Sequence, residues 1–537
     1  MSKESVDILI IGAGPSGAAA AWSLSSTSLS IMCLEQGDWM DPSKYPSTRR
    51  DWEIMRAHEY NVSPNVRKHP ADYPINDKSS PIAIANFNAV GGGSILYSAH
   101  FPRFHPSDFR VKTLDGVADD WPVNYSDLQP FFSENDRMMG VSGLAGDPAY
   151  PPHEPPPGGY PVSLGPMGEI MGKGFNKLGW HWWPAYSAII TSRTYKGRQP
   201  CINLGPCNSG CAQGAKASVD ITYWPLAIRN GVQLKTRSRV REITVDASGK
   251  ATGVIYYDEN NNECRQNARV VIVACNGIGT PRLLLNSCSS HFPNGLANRS
   301  GLVGKNLMLH PLGYVEGLFE DPLESYLGPQ GCCILSHEFY ETDSRRGFVR
   351  GYTMQLLRGP GPIETALSGV LRRQIPWGTE HHQAFAKHFG HIVGMAIIVE
   401  DLPEQHNCVT LDPNLTDSNL IPAPKITYKL SENSRKMLAH GLSKGKEVMI
   451  ASGSQKNFAF GPVRQTGWHL MGTARMGTDP TSSVVNEWGR SHDIKNLFIV
   501  DSSIFVTSSA VNPVSTMQAL ALFITDKIKT NLTRLFD

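Results

Sequence analysis

The chain has 537 residues, 40% hydrophobic and 18% charged, with a formal net charge of +2. That balance suits a large folded core and excludes the strongly basic composition of a nucleic-acid binder. No uninterrupted apolar stretch reaches the ~18–20 residues that span a bilayer as a helix. No charged n-region, apolar h-region and cleavage site opens the sequence, so a cytoplasmic location with mostly reduced cysteines is expected.

The first element carries the most information. Residues 6–17, VDILIIGAGPSG, read as a strand that runs into Gly12, Ala13, Gly14, Pro15, Ser16 and Gly17, and the alanine-rich residues 18–24 read as a helix. Glycines in such a turn let the backbone approach a pyrophosphate closely, and the helix N-terminus offers it free N–H groups. A second strand, residues 29–34, ends at Glu35. A carboxylate about 20 residues beyond the glycines can accept hydrogen bonds from a ribose hydroxyl. Strand, turn, helix and acid together point to a Rossmann-like dinucleotide site.

Further along, residues 89–94, AVGGGS, precede Phe101-Pro102-Arg103-Phe104. Trp121-Pro122, with Tyr125 and Leu128, leads to Gly140-Val141-Ser142-Gly143. Residues 147–164, DPAYPPHEPPPGGYPVSL, hold too much proline and glycine for regular structure and read as a surface loop. Cys201, Cys207 and Cys211 follow at spacing C-x5-C-x3-C. A tetrahedral zinc site wants four ligands, and no nearby histidine completes the set. Three thiolates on a glycine-rich loop could hold an iron–sulfur cluster, or the loop could simply carry small buried cysteines. Strands are expected at 231–235, 240–243, 255–257 and 268–274, then at 348–356 and 392–400. Helices are expected at 431–451, with Ser431 as N-cap, and from 516 to about 531.

Residues 466–477, TGWHLMGTARMG, and 494–518, IKNLFIVDSSIFVTSSAVNPVSTMQ, together with the N-terminal fingerprint, resemble the glucose–methanol–choline (GMC) family of FAD-dependent alcohol oxidoreductases. Residues 89–104 resemble the family's first glycine signature, residues 121–143 the segment after it, and residues 276–284, NGIGTPRLL, the second signature. The resemblance implies an α/β fold. A Rossmann-like FAD-binding domain, residues 1–110, 200–320 and 464–537, is interleaved with a substrate domain, residues 111–199 and 321–463. The substrate domain is built on an antiparallel sheet that walls the flavin. The implied cofactor contacts are Gly12, Gly14, Pro15, Ser16, Gly17, Glu35, Gly92, Gly93, Ser94, Val240, Asp501 and Asn512.

Oxidising an alcohol removes the hydroxyl proton and a hydride from the same carbon; the flavin takes the hydride, and the protein must supply a proton acceptor, for which histidine is suited. The resemblance puts His469 at the family's catalytic histidine and Asn512 at its partner, a position held by histidine in many relatives and asparagine in others. Asparagine cannot act as a base but can hold the substrate oxygen, which leaves His469 as the base of the pair. Leu96 stands where some relatives carry a histidine linked covalently to FAD, so non-covalent FAD is expected. Tyr97 replaces an asparagine found in many relatives; Ser94, Ser98 or backbone groups are candidates for the contact it made.

The cysteine loop is similar to that of bacterial FAD-dependent glucose dehydrogenase subunits. This implies a 3Fe–4S cluster on Cys201, Cys207 and Cys211, with an electron-acceptor protein or mediator as partner; without a cluster, dioxygen or a quinone takes the electrons. Residues 101–110, this loop and Ser431-Glu432-Asn433-Ser434 are similar to bacterial members acting on sugars, sugar acids and polyols. A small polyhydroxylated alcohol, including a glycosylated natural product, is the expected substrate, with Trp180, Trp182, Trp183 and Trp377 as candidate stacking faces. His381, His382 and His391 could line the pocket or lie at the surface. The alternatives are an oxidase acting on a benzylic or aliphatic alcohol and a non-redox lyase on the same fold; the C-terminal motifs disfavour an NAD-dependent dehydrogenase.

Overall fold

A computed structural model describes residues 5–329 and 333–532; the tips of the first and last expected blocks, residues 1–4 and 533–537, lie outside them. Strand Val6–Ile11 is almost wholly buried and sits inside a seven-stranded sheet. Its unbroken apolar run is what a strand covered on both faces requires. The sheet runs in the order Gln233–Lys235, Ile31–Leu34, Val6–Ile11, Glu263–Val273, Ala251–Tyr257, Arg239–Val245, with Leu497–Ile499 also pairing with Glu263–Val273. Val6–Ile11 pairs in parallel on both sides, Ile10 standing opposite Cys33 and Ile272. Three stretches far apart in sequence thus share one sheet. Helices Pro15–Leu24 and Val514–Thr530 pack on each other and complete the layer.

The expected strand at 231–235 begins only at Gln233. Gly231, at φ +96°, is used to close the helix Tyr223–Arg229 that precedes it. Residues 255–257 are the end of a longer strand, Ala251–Tyr257.

The second sheet has six strands in the order Lys456–Phe460, Leu312–Leu318, Ile392–Val399, Tyr352–Leu357, Ile334–Ser336, Trp183–Pro184. All its pairings are antiparallel. Strand Leu312–Leu318 belongs here, although the sequence grouped residues up to 320 with the nucleotide fold. Helix Glu432–Ala451 packs on this sheet, and Ser431 caps it, its hydroxyl accepting the Ser434 N–H at 3.0 Å. A third sheet joins Cys408–Thr416, Pro422–Thr427 and Asn76–Ser79. Residues 147–164 form neither strand nor helix. Among the described residues no helix is long and apolar enough to cross a membrane.

Candidate active site

A cavity of about 520 Å³ lies between the two large sheets and is lined by residues from both. On one side are the Gly12–Ser16 turn, Glu35, the Gly92–Gly93 turn and Val240; on the other are strand residues such as Gln355, Leu357, Ala396 and Ile398.

The nucleotide side is built mainly from backbone. Gly12 has φ +100°, and a Cβ there would sit 2.5 Å from the Ala274 carbonyl oxygen. A Cβ on Gly17 would lie 2.0 Å from the Gly12 carbonyl oxygen. These two positions let turn, helix and sheet close on one another. Around Gly14, by contrast, nothing stands within 4 Å of the place a Cβ would take. This is open space at the N-terminus of helix Pro15–Leu24. Ser16 Oγ is buried beside it with no hydrogen-bond partner among the described residues. An unpaired buried hydroxyl at a helix N-terminus fits a phosphate oxygen.

The second glycine turn is fastened to the first, since Gly91 N–H donates to the Ala13 carbonyl at 3.0 Å. Glu35 accepts the Ala13 N–H on Oε2 and the Gly37 N–H on Oε1, both at 2.8 Å. Burial pushes its carboxyl pKa up and these N–H groups pull it back. A carboxylate held in this way keeps lone pairs for ribose hydroxyls. The residues present therefore fit the dinucleotide portion of FAD.

Other expected contacts sort into lining and scaffold. Val240 lines the cavity where its strand slips register against Ala251–Tyr257. Ser94 lines it too, but its hydroxyl donates to the Gly91 carbonyl at 2.6 Å and accepts the Val219 N–H at 3.1 Å. It is thereby occupied in shaping the turn. Asp501 accepts from Thr280 Oγ1 at 2.6 Å, Asn276 N–H at 3.1 Å and Ser503 N–H at 2.8 Å. It staples the C-terminal segment to helix Asn276–Asn286 at the cavity wall. Leu96 is fully buried and lines the cavity.

The reacting side is built from side chains far apart in sequence. His469, Asn512, Gln355, His310 and His100 all line the cavity. Gln355 Nε2 donates to Asn512 Oδ1, which turns the Asn512 amide so that its NH₂ remains for a ligand. His469 Nδ1 lies 2.8 Å from His310 Nδ1, the two rings nearly perpendicular at 85°. His310 Nε2 lies 3.0 Å and 2.9 Å from the carbonyl oxygens of Ser508 and Ser509. Burial pushes the His310 pKa down to about 4 and that of His100 to about 3. Burial, and then the charges of His310 and His100, hold His469 well below the ordinary histidine value. Both ring nitrogens of His100 are buried without a partner among the described residues.

Gln355, His310 and His100 were not anticipated. No motif marks them, and only strand pairing brings them to this wall.

The expectation of stacking tryptophans is corrected, and of the two positions left open for the histidines the structure takes the one away from the cavity. Trp180, Trp182, Trp183 and Trp377 do not line the cavity, and Trp377 is 82% exposed; Trp52, Tyr314, Phe460 and Trp468 line it instead. His381 and His382 open the helix His381–His388, and neither they nor His391 line it. Cys201, Cys207 and Cys211 form no disulfide and do not line the cavity, although Asn208, between the second and third of them, does. Among the described residues no three His, Cys, Asp or Glu side chains are arranged to hold a metal ion.

The GMC oxidoreductase family matches the chain twice, its N-terminal part over residues 162–312 and its C-terminal part over residues 403–521. A 2-methyl-1,2-propanediol dehydrogenase of Mycolicibacterium austroafricanum is 40% identical, over 100% of this chain and 97% of its own. The fructose dehydrogenase large subunit of Gluconobacter japonicus is 28% identical, over 99% of this chain and 99% of its own. A solved pyridoxine 4-oxidase from Mesorbium loti has the same fold, with a TM-score of 0.70 at 16% identity over 98% of this chain and 100% of that one. Fingerprint, cavity and full-length likeness agree: the chain belongs to the GMC oxidoreductase family, and its reaction is the FAD-dependent oxidation of a CH–OH group.

Proposed function

We propose that the chain is a dehydrogenase for a compact polyol, a vicinal diol in particular, with His469 as proton acceptor and Asn512 as the group that holds the reacting oxygen. The reading rests above all on the Gln355–Asn512 bond. With its Oδ1 accepting from Gln355, Asn512 keeps its NH₂ for a ligand, and Gln355 keeps an Oε1 that can accept from a second hydroxyl. Bound FAD supplies the hydride acceptor. His469 takes the hydroxyl proton, and burial keeps it neutral and able to do so. The Asn512 amide stabilises charge on the oxygen inside a site screened from water. Leu312, Leu357, Ala396 and Ile398 make the neighbouring wall apolar, which suits a short branched alkyl group. The relative at 40% identity is named for such a diol.

We also read FAD as non-covalent, because Leu96 offers no nucleophile; acid precipitation should leave the yellow colour in the supernatant. The division of labour is nucleotide binding by residues 1–110, 200–320 and 464–537 and substrate binding by 111–199 and 321–463, with strand Leu312–Leu318 moved to the second unit. A reducing, cytoplasmic setting is part of this reading. Electrons leave to an acceptor protein or mediator. A 3Fe–4S cluster on Cys201, Cys207 and Cys211 is tested by the iron content of anaerobically purified protein, and no step of the reaction is routed through it.

The substrate reading is tested by anaerobic mixing with a panel of alcohols while flavin absorbance is followed. Short 1,2-diols should bleach the flavin faster than hexoses or benzyl alcohol. Faster bleaching by hexoses would return the substrate to the sugars.

A further inference from the structure

We propose that His310 is a positioning residue that sets the tautomer of His469, leaving Nε2 of His469 as the lone-pair acceptor on the cavity side. The proposal deepens the reading of His469 as base and rests on it.

The argument is a count of protons. His310 Nε2 faces two carbonyl oxygens, of Ser508 and Ser509, at 3.0 Å and 2.9 Å. Carbonyl oxygens only accept, so Nε2 carries the hydrogen. His310 is 2% exposed, and burial favours its neutral form. A neutral ring with its proton on Nε2 has only a lone pair on Nδ1. That nitrogen lies 2.8 Å from His469 Nδ1, so the hydrogen between the rings belongs to His469. A neutral His469 protonated on Nδ1 must have a bare Nε2. Of its two ring nitrogens, Nδ1 is spent on His310, and Nε2 has no protein partner among the described residues.

The support for His310 is itself anchored. Asp401 accepts the Leu309 N–H at 3.1 Å and the Tyr428 hydroxyl at 2.6 Å. Ser508 Oγ accepts the Asp401 N–H at 2.9 Å. Asp401 thus holds the segment carrying His310 through its carboxylate and the segment carrying the two carbonyl acceptors through its backbone N–H and carbonyl. His310 and Ser509 both have left-handed backbone, at φ +53° and +59°. Strain at non-glycine positions persists where the surroundings over-determine it.

In the reaction, the substrate O–H proton moves to Nε2 of His469 while the hydride leaves the same carbon for FAD. The resulting imidazolium keeps donating from Nδ1 to His310, which stabilises it without a second proton transfer. A protonated His310 would reverse the relay: its Nδ1–H would donate to His469, driving the His469 proton to Nε2 and blocking the acceptor. His310 and His100 are the histidines facing His469; Asp401 braces His310, and Arg358 lines the same cavity.

Neutron diffraction from holoenzyme crystals at neutral pH reads the tautomer directly. The expected density is a deuteron on Nδ1 of His469, one on Nε2 of His310 and none on Nε2 of His469. A deuteron on Nε2 of His469 overturns the proposal whatever becomes of the base assignment. Kinetics gives the second readout. His310→Ala, with FAD bound, should slow anaerobic flavin reduction about 10- to 100-fold, the range seen when a partner that orients a metal-bound histidine is lost. It should also change the pH profile of that step. His310→Asn keeps an acceptor where Nδ1 stood and tolerates left-handed backbone, so it should recover most of the rate. An FAD-loaded His310→Ala protein with the parent rate and profile overturns the proposal. If instead His469→Ala keeps the parent rate, it is the base assignment that falls, and the neutron result still decides the tautomer.

Discussion

The cavity has two ends made in different ways. The nucleotide cradle comes chiefly from backbone within short stretches: a turn at residues 12–17, an acid at 35, a second turn at 91–93. The reacting end comes from side chains at 100, 310, 355, 469 and 512, each delivered by a different element. The cradle works by shape, because glycines let atoms approach where a Cβ would not fit. The reacting end works by hydrogen-bond pairing, because Asn512 and His469 are each engaged on one side by a neighbouring side chain. Errors in the two should have different consequences: in the cradle, loss of cofactor; at the reacting end, loss of rate with cofactor retained.

The strongest way to break this contrast is at Gly17. A Cβ there falls 2.0 Å from the Gly12 carbonyl oxygen, a backbone atom that cannot step aside. Gly17→Val should yield protein without bound FAD, or no folded protein at all; a yellow variant with full flavin occupancy would show the cradle to be far more yielding than its packing implies. On the other side, His469→Ala should purify yellow and reduce its flavin roughly 10²–10⁴-fold more slowly, the usual contribution of a positioned base. Loss of FAD in that variant would dissolve the separation between the two ends.

Acid should act on the reacting end. The His310 pKa is lowered by burial from 6.5 to about 4. As pH falls, the unfolded chain takes up the proton first, so the stability from keeping His310 neutral is full above about pH 6.5 and is lost as pH drops through 4. For this residue the loss is roughly 3 kcal/mol, and His100 and His469 add in the same direction. Denaturant midpoints measured from pH 7.5 down to 4.5 should fall, and fall less steeply in His310→Asn. A midpoint independent of pH across that range would mean the buried histidines do not set acid stability.

The smallest effect is expected at Gln355. Replacing it by leucine removes one neutral hydrogen bond, worth about 0.5–1.5 kcal/mol, so flavin reduction by a diol should slow about 2- to 12-fold. If the Asn512 amide is held by that bond, Asn512→Ala should add little further loss in the Gln355→Leu background. Fully additive losses would separate the two residues.

Much of the cradle was legible in the sequence because its requirements are local. Gly12 and Gly17 answer to neighbours a few residues away or to an adjacent strand, and Glu35 follows at the distance one βαβ unit imposes. His469 and Asn512 were legible only through motifs shared with a family. His310 sits just before strand Leu312–Leu318, with nothing around it to mark a role. Gln355 reads as one polar residue in an apolar strand. The tryptophans misled because aromatic content does not say which face a ring takes: Trp377 is 82% exposed, while Trp52, outside the expected substrate domain, lines the cavity.

By itself, the sequence determined the dinucleotide turn, the α/β character, the family and therefore the reaction class. These depend on glycine geometry, hydrophobic period and short motifs, which act over a few residues. Tertiary structure alone decided that His469 meets His310, that Gln355 meets Asn512, and which side chains line the cavity. Those outcomes depend on hydrogen-bond partners brought to within 3 Å or so by pairing strands far apart in the chain, and a donor's partner is set by distance in space rather than in sequence.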